Sequence, residues 1–441
     1  MSDLPRGWAW STLGAVTDVV SGSTPRTAEP SYWDGDIPWI TPDDLSKDRS
    51  KRISRGARLI TQTGYESCST RLVPAGTVLY TSRAPIGYVA IAANPVCTNQ
   101  GFKSFVPSEA LTSDYLYWFL HYATPEIRKL GSGTTFAELS KARAREVPIP
   151  VGPLAEQRRI VAAIEEHLSR LDAAKSSLGT ALARAKRMKL LILNAALGDA
   201  PETLPLRDVA DVRLGRQRSP KNHSGPTMKP YLRAANVTWD GLKLDDVKEM
   251  NFSAAEAGIY ELRPRDVLLA EASGSASEVG KPVVWHGEIE DCCFQNTLIR
   301  VRSRGPLPEY LRLVFLRSAL LGQFAQAAPG VGIHHLGSSR LAEWPIPLPS
   351  TDKQAAIAET VEREFSLVEG VQGQLSEVSR RAESLRRAIL ARAFRGDLVL
   401  QDPNDEPAGV LLDRIATERA AAKTKLRSTP SRRQQAVVGA D

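Results

Sequence analysis

Pro148-Ile149-Pro150-Val151-Gly152-Pro153-Leu154-Ala155-Glu156-Gln157-Arg158-Arg159-Ile160 opens a proline-free stretch that runs to about Ala196. Pro345-Ile346-Pro347-Leu348-Pro349-Ser350-Thr351-Asp352-Lys353-Gln354-Ala355-Ala356-Ile357 opens another, which runs to about Ala393. The two are one sequence used twice. Gln157 recurs as Gln354, Ile160 as Ile357, Glu165 as Glu362, Ser169 as Ser366 and Ile192-Leu193 as Ile389-Leu390, always 197 residues on and without a gap. A long internal repeat means that one structural unit is present in two copies. Upstream the likeness is looser: Leu13, Val16, Asp18, Val19 and Gly22 match Leu206, Val209, Asp211, Val212 and Gly215 at a spacing of 193. Tyr115-Leu116 matches Tyr310-Leu311 at 195, and Leu139 matches Leu336 at 197. Each half therefore has a variable front and a back of constrained length.

Both backs carry an apolar stripe at helical spacing. In the first it is Val161, Ile164, Leu168, Leu171, Ala174, Leu178, Ala181, Ala185, Met188 and Ile192. In the second it is Ala358, Val361, Phe365, Val368, Val371, Leu375, Val378, Ala382, Leu385 and Ile389. Steps of 3 and 4 alternate, with one additional step of 3 at the same place in both, the signature of a coiled-coil seam with a stammer. The equal lengths and shared stammer predict two helices packed on each other. The run from Val161 to Ile192 would extend about 47 Å.

The fronts mix strand-like runs (Gly76 to Tyr80, Tyr88 to Ala92, Val267 to Ala270, Leu298 to Val301) with turn residues and a helical stretch before each Pro-Ile-Pro, at Ser113 to His121 and Pro308 to Phe324. The expected class is α+β: a front domain over 1–150, a long helix over 151–198, a second front domain over 199–347, a second long helix over 348–397 and a tail over 398–441. The tail is read as partly disordered, polar and basic from about Thr417.

The whole chain has 441 residues, 57 Lys and Arg against 50 Asp and Glu, a net charge of +7 and a pI near 9.2. Most of the excess lies at the end: seven basic and two acidic residues fall between Arg414 and Asp441. A polyanion-binding surface elsewhere must therefore be local. No apolar run approaches a membrane span, and the start has no secretory pattern, so a cytoplasmic address is expected. The scattered Cys68, Cys97, Cys292 and Cys293 form no metal-knuckle spacing.

Motifs of catalysis are near misses. Gly274 to Lys281 has five residues between its glycines where a phosphate loop has four, and Pro282 stands where Ser or Thr would hold the metal. Asn94-Pro95-Val96 lacks the second proline and aromatic of an amino-methyltransferase. His334 and His335 are adjacent and so point different ways, and Glu278-Val279-Gly280-Lys281 has the wrong spacing for a Glu-x-Lys nuclease pair. What clusters instead are side chains able to pair with base edges. Thr98, Asn99, Gln100 and Lys103 stand in one front; Gln295, Asn296, Arg300 and Arg302, with a second group of Arg216, Arg218, Lys221, Arg233 and Asn236, stand in the other.

The pattern resembles the DNA specificity subunit of type I restriction-modification enzymes over nearly all of residues 4–420. The motifs are Leu4-Pro5-x-Gly7-Trp8 with Trp10 and Leu13, Gly22-Ser-Thr-Pro25, Ile37-Pro-Trp-Ile40, Ser82-Arg83-x-x-Ile86-Gly87, Thr98-Asn-Gln-Gly-Phe-Lys103 and Pro148-Ile-Pro150 leading to Glu156-Gln-Arg-Arg-Ile160. In the second half they are Pro230-Tyr-Leu-Arg-Ala-Ala-Asn-Val237, Phe294-Gln-Asn-Thr-Leu-Ile-Arg-Val-Arg302 and Phe394-Arg-Gly-Asp-Leu398. The resemblance implies two target-recognition domains, each reading part of a split site in double-stranded DNA, joined by antiparallel helices. It also implies no cofactor on this chain. S-adenosylmethionine, ATP and Mg would belong to partners, namely two methylation subunits and up to two restriction subunits. The DNA-binding candidates are then Arg83, Thr98, Asn99, Gln100, Lys103, Arg216, Arg218, Lys221, Arg233, Asn236, Lys281, Gln295 and Asn296. The alternatives are a coiled-coil scaffold that binds no DNA and a single-chain modification enzyme with its own specificity domains. The second would need the catalytic motifs that are absent.

Overall fold

The computed structural model describes residues 4–132, 137–198, 202–273, 275, 278–327 and 334–428. The chain divides into two units, Met1–Ser176 with Ser379–Asp441, and Ser177–Val378. Each unit holds one front domain and one half of each long helix.

The fronts share a plan. The first has a five-stranded sheet ordered Thr17–Ser21, Phe102–Pro107, Val78–Ser82, Ile86–Ala92, Arg52–Ile53, and a three-stranded sheet of Arg58–Ile60, Trp33–Ile40 and Cys97–Thr98. The second has a four-stranded sheet ordered Ala210–Leu214, Leu298–Ser303, Val267–Ala270, Pro282–Val284, and a three-stranded one of Lys248–Asn251, Met228–Leu232 and Cys293–Phe294. The helices predicted in front of each Pro-Ile-Pro run over Ser113–Lys129 and Pro308–Leu320.

Each Pro-Ile-Pro is one strand of a two-stranded ribbon: Ala9–Thr12 lies antiparallel to Pro148–Val151, and Thr203–Pro205 to Pro345–Pro347. Proline offers no N–H, so it survives in a sheet only on an edge, and a two-stranded ribbon has only edges. Side chains lock the exit into the helix identically in both halves. Tyr115 Oη donates to the Pro150 carbonyl at 2.8 Å, and Tyr310 Oη to that of Pro347 at 2.9 Å. The buried amide of Gln157 accepts from the Thr112 N–H at 3.0 Å and donates to the carbonyls of Ala110 and Gly152. Gln354 repeats this with the Leu307 N–H at 2.9 Å and the Pro349 carbonyl at 2.8 Å.

The long helices span Leu154–Leu197 and Thr351–Arg395 and run antiparallel. In the first unit Ile160, Ile164 and Leu168 share a core with Ile389, Leu390, Ala393 and Phe394. In the second, Ile192, Leu193 and Leu197 share one with Ala358, Val361 and Phe365. Phe394 closes the first core among Tyr115, Phe119 and Tyr122, with ring centroids 5.2, 5.5 and 5.3 Å away.

Two expectations are corrected. The seam is buried at its ends, but Leu385 is 52% exposed, Val371 50%, Val378 46% and Met188 46%, and Leu178 and Leu375 are half-buried. Where a front domain backs the helices, three surfaces meet; away from it, one helix can shield only the side that faces it. The tail is not disordered from Thr417, because Ala408–Ser428 is helical. Its alanines favour helix, and Ala408, Leu411 and Ile415 bury against the core that contains Trp8 and Leu13. Arg419 donates to the Gly14 carbonyl at 3.1 Å and to that of Ala15. Residues 429–441 lie outside the described residues.

Candidate nucleic-acid interface

In the first unit, four segments converge on one rim of the sheets. The turn after Thr17–Ser21 docks on the turn after Cys97–Thr98, with the Ser23 N–H on the Thr98 carbonyl at 3.0 Å and Thr24 Oγ1 donating to Gln100 Oε1. Gly22 permits this approach, since a Cβ there would stand 2.1 Å from the Thr98 oxygen. Asn99 Oδ1 accepts from the Gly101 N–H at 2.8 Å and so shapes the turn that carries Gln100. Ser82 N donates to the Gly101 carbonyl at 2.7 Å and Leu139 N to that of Ser82 at 2.9 Å, which brings Arg83 opposite Glu138.

The second unit rebuilds this frame. Arg216 N donates to the Phe294 carbonyl at 3.1 Å and Asn296 N to that of Arg216 at 3.0 Å. A Cβ on Gly215 would stand 2.2 Å from the Gln295 oxygen. Glu271 N donates to the Thr297 carbonyl at 2.9 Å, Leu336 N to that of Glu271 at 2.8 Å, and Ala272 pairs with His335. Gly22 thus corresponds to Gly215, Ser82 to Glu271 and Glu138 to His335.

The sequence candidates divide on this frame. Gln100, Arg218 and Lys221 are exposed, and Arg83, Asn99, Gln295 and Asn296 are half-buried at the rim. Arg218 Nε lies 3.2 Å from His223 Nε2. The others are turned inward, a correction to the sequence reading. Thr98 is buried, with its carbonyl taken by Ser23 and Thr70. Lys103 is 5% exposed, with Nζ 3.4 Å from both Ser82 Oγ and Glu138 Oε1. Burial pulls its ammonium below the ordinary lysine range against the pull of Glu138, and Arg83 and Lys141 add to the lowering.

Arg216 ion-pairs with Glu256 at 2.6 Å and lies 4.8 Å above the Phe252 ring. Asn236 is buried, accepting from the Arg233 N–H at 3.1 Å and donating to the carbonyls of Lys243 and Asp246, while Arg233 pairs with Asp246. Lys281 pairs with Glu278 at 2.6 Å; Gly274, the start of the near-miss loop, lies outside the described residues. Arg300 pairs with Asp211, and Arg302 makes two 2.7 Å bonds to the buried Asp266. The physical reason is common to all: the donors and acceptors that suit base edges also suit backbone carbonyls and carboxylates inside a fold. Lys141, Glu138 and His335 were missed. Their sequence signal was slight, Glu138 and His335 standing one residue before the matched Leu139 and Leu336.

A family model described as the type I restriction modification DNA specificity domain matches residues 5–178. The MjaIX specificity subunit of Methanocaldococcus jannaschii is 45% identical over 159 residues, 36% of this chain and 37% of that relative. The EcoKI specificity subunit of Escherichia coli K12 is 24% identical over 96% of this chain and 97% of its own length. In fold, the chain resembles the HsdS subunit of Thermoanaerobacter tengcongensis, with a TM-score of 0.55 at 21% identity over 90% of this chain and 98% of that one. A chain from a solved type I R-M system gives a TM-score of 0.73 at 20% identity, covering 90% of this chain and all of that one. Residues 5–178 thus match the type I restriction modification DNA specificity domain, and over nearly its whole length the chain is similar to a type I restriction enzyme specificity subunit. Among the described residues, no helix is long and apolar enough to cross a membrane.

Proposed function

We propose that this chain is the sequence-specific DNA-binding subunit of a type I restriction-modification complex. It reads a bipartite target with one rim per unit and directs methylation and restriction subunits to it. The observation that carries this reading is the rim itself: one backbone frame, built twice, holds different side chains at matching positions. Each unit then reads its own half-site. Arg83, Asn99 and Gln100 in one rim and Gln295 and Asn296 in the other are the base-contacting candidates, with Arg218 and Lys221 suited to phosphates.

The chain performs no chemistry in this reading. S-adenosylmethionine, ATP and Mg act on partners, two methylation subunits and up to two restriction subunits, in the cytoplasm. Partner docking is supported by the exposed large apolar side chains on the helices of the second unit, Met188 and Leu191 on one and Leu367 and Val371 on the other. Incubating DNA with labelled S-adenosylmethionine tests the assignment. Label should enter a split site only when methylation subunits are present; incorporation by the isolated chain would refute it.

A further inference from the structure

Glu138 and His335 stand at matching places in the two rims, Glu138 opposite Arg83 and His335 opposite Ala272. Behind each lies a buried charged group. In the first unit it is Lys103, its side chain 7% exposed, with Nζ 3.4 Å from Glu138 Oε1. In the second it is Glu271, 9% exposed, with Oε2 3.0 Å from His335 Nδ1. The two buried groups have opposite sign and arise at different positions. Lys103 belongs to the strand Phe102–Pro107, where the second unit has Ile299; Glu271 follows the strand Val267–Ala270, where the first has Ser82.

Burying a charge is costly, and Ile299 demonstrates that an apolar residue fits the frame at one of these places. Both units nonetheless bury one. Among the described residues, the single ion-pair partner of each is the rim side chain, and those two are 43% and 61% exposed. A buried group that holds an exposed one by a directed contact is the arrangement that fixes the orientation and tautomer of a functional side chain.

We infer that position 138 in the first unit and position 335 in the second are base-reading positions, oriented from behind by Lys103 and Glu271. The inference rests on the DNA-binding reading above. The chemistry of the ligand follows from the contacts. Lys103 engages one carboxylate oxygen of Glu138, leaving the other as an outward acceptor. Glu271 Oε2 lies 3.0 Å from His335 Nδ1, which engages that ring nitrogen and leaves Nε2 as the one available to a base. The second carboxylate oxygen of Glu138 is an acceptor, which in the major groove matches the exocyclic amine of cytosine or adenine, and the His335 imidazole meets a base edge through Nε2. Arg340, which donates to the His335 and Leu336 carbonyls, and Lys141, near Lys103, are the neighbouring cations placed for phosphate contact.

The test measures binding of the complex of this chain with its methylation subunits to its target and to every single base-pair variant. Glu138→Ala should relax discrimination about tenfold at one base pair of one half-site, and His335→Ala at one base pair of the other, with the remaining positions unchanged. Glu271→Gln should weaken discrimination at the same base pair as His335→Ala, and the double variant should be no worse than His335→Ala alone. His335→Asn, which keeps a hydrogen-bonding side chain at the rim, should recover part of the loss. Unchanged discrimination in both alanine variants, or a uniform loss over all sequences, would overturn the inference. A wild-type complex without sequence preference would instead overturn the DNA-binding reading on which it rests.

Discussion

Asp172 of the first long helix ion-pairs with Arg386 of the second at 3.0 Å, and at the equivalent positions of the repeat Glu369 pairs with Lys189 at 2.8 Å. Within the first unit Lys175 also pairs with Glu383, three residues on along one helix and three back along the other. The pairing fixes the antiparallel register and the order of charge. A carboxylate at 172 and 369 faces a cation at 386 and 189, so the repeat reproduces an interaction between helices and not only their apolar faces.

These pairs are half open to solvent, so each contributes little alone. Arg386→Asp should lower stability by about 0.5 to 1 kcal/mol, and adding Asp172→Arg should recover most of it. Denaturant midpoints of the four chains measure the coupling. If the double variant is as weak as the sum of the singles, the register is not the one described.

Glu156 is a buried carboxylate whose Oε2 accepts from Trp8 Nε1 at 3.0 Å, while Oε1 has no hydrogen-bond partner among the described residues. Burial pushes its pKa above the ordinary 4.5, opposed by the Trp8 bond and by Arg159. A carboxyl raised in the folded state favours folding below its unfolded pKa, and that contribution is lost as pH rises through the folded value. Glu156→Gln, which keeps the acceptor without the charge, should therefore stabilise the chain by about 1 kcal/mol at pH 7, with the gain vanishing below about pH 4.5. Glu156→Ala should destabilise at both. Thermal unfolding across this pH range measures the two curves.

Arg302 has the residue type of a base reader and the surroundings of a structural one. Arg302→Ala would leave Asp266, 1% exposed, as an unpaired buried charge, at a cost of about 3 to 5 kcal/mol. Gln100→Ala, on the exposed turn, should cost less than about 0.5 kcal/mol of stability and act on DNA discrimination instead. Urea denaturation of both variants separates the roles.

How much of this was legible in the sequence depends on whether residue spacing or side-chain surroundings decides the question. The long helices were legible because helical periodicity and a constant spacing of 197 are properties of the string, and both survive insertions elsewhere. The rim residues were legible only in part. Thr98-Asn99-Gln100 and Gln295-Asn296 could be located, but the inward turn of Lys103, Arg216 and Asn236 depends on Glu138, Glu256 and the Lys243 carbonyl, which lie 35, 40 and 7 residues away. The terminal helix is not legible in the sequence because its charges outweigh its stripe. Leu411 and Ile415 become informative only once Trp8 and Leu13 are seen to face them.

That helix supplies a further prediction. Leu411→Ala and Ile415→Ala each remove a side chain that is 7% or 6% exposed, and should cost about 2 to 3 kcal/mol. Val410→Ala, at a position 50% exposed on the same helix, should be close to neutral. Equal effects in all three would mean that the helix does not pack on the first unit as described.

If each unit reads one half of a split DNA target on its own copy of a shared frame, exchanging one front domain must alter one half of the target alone. The most direct measurement replaces residues 1–150 with the matching domain of a relative that has a different target, and maps the methylated positions genome-wide in cells that supply the methylation subunits. One half of the recognised sequence should change to that of the donor while the other half stays as it was. A change in both halves, or in neither, would contradict it.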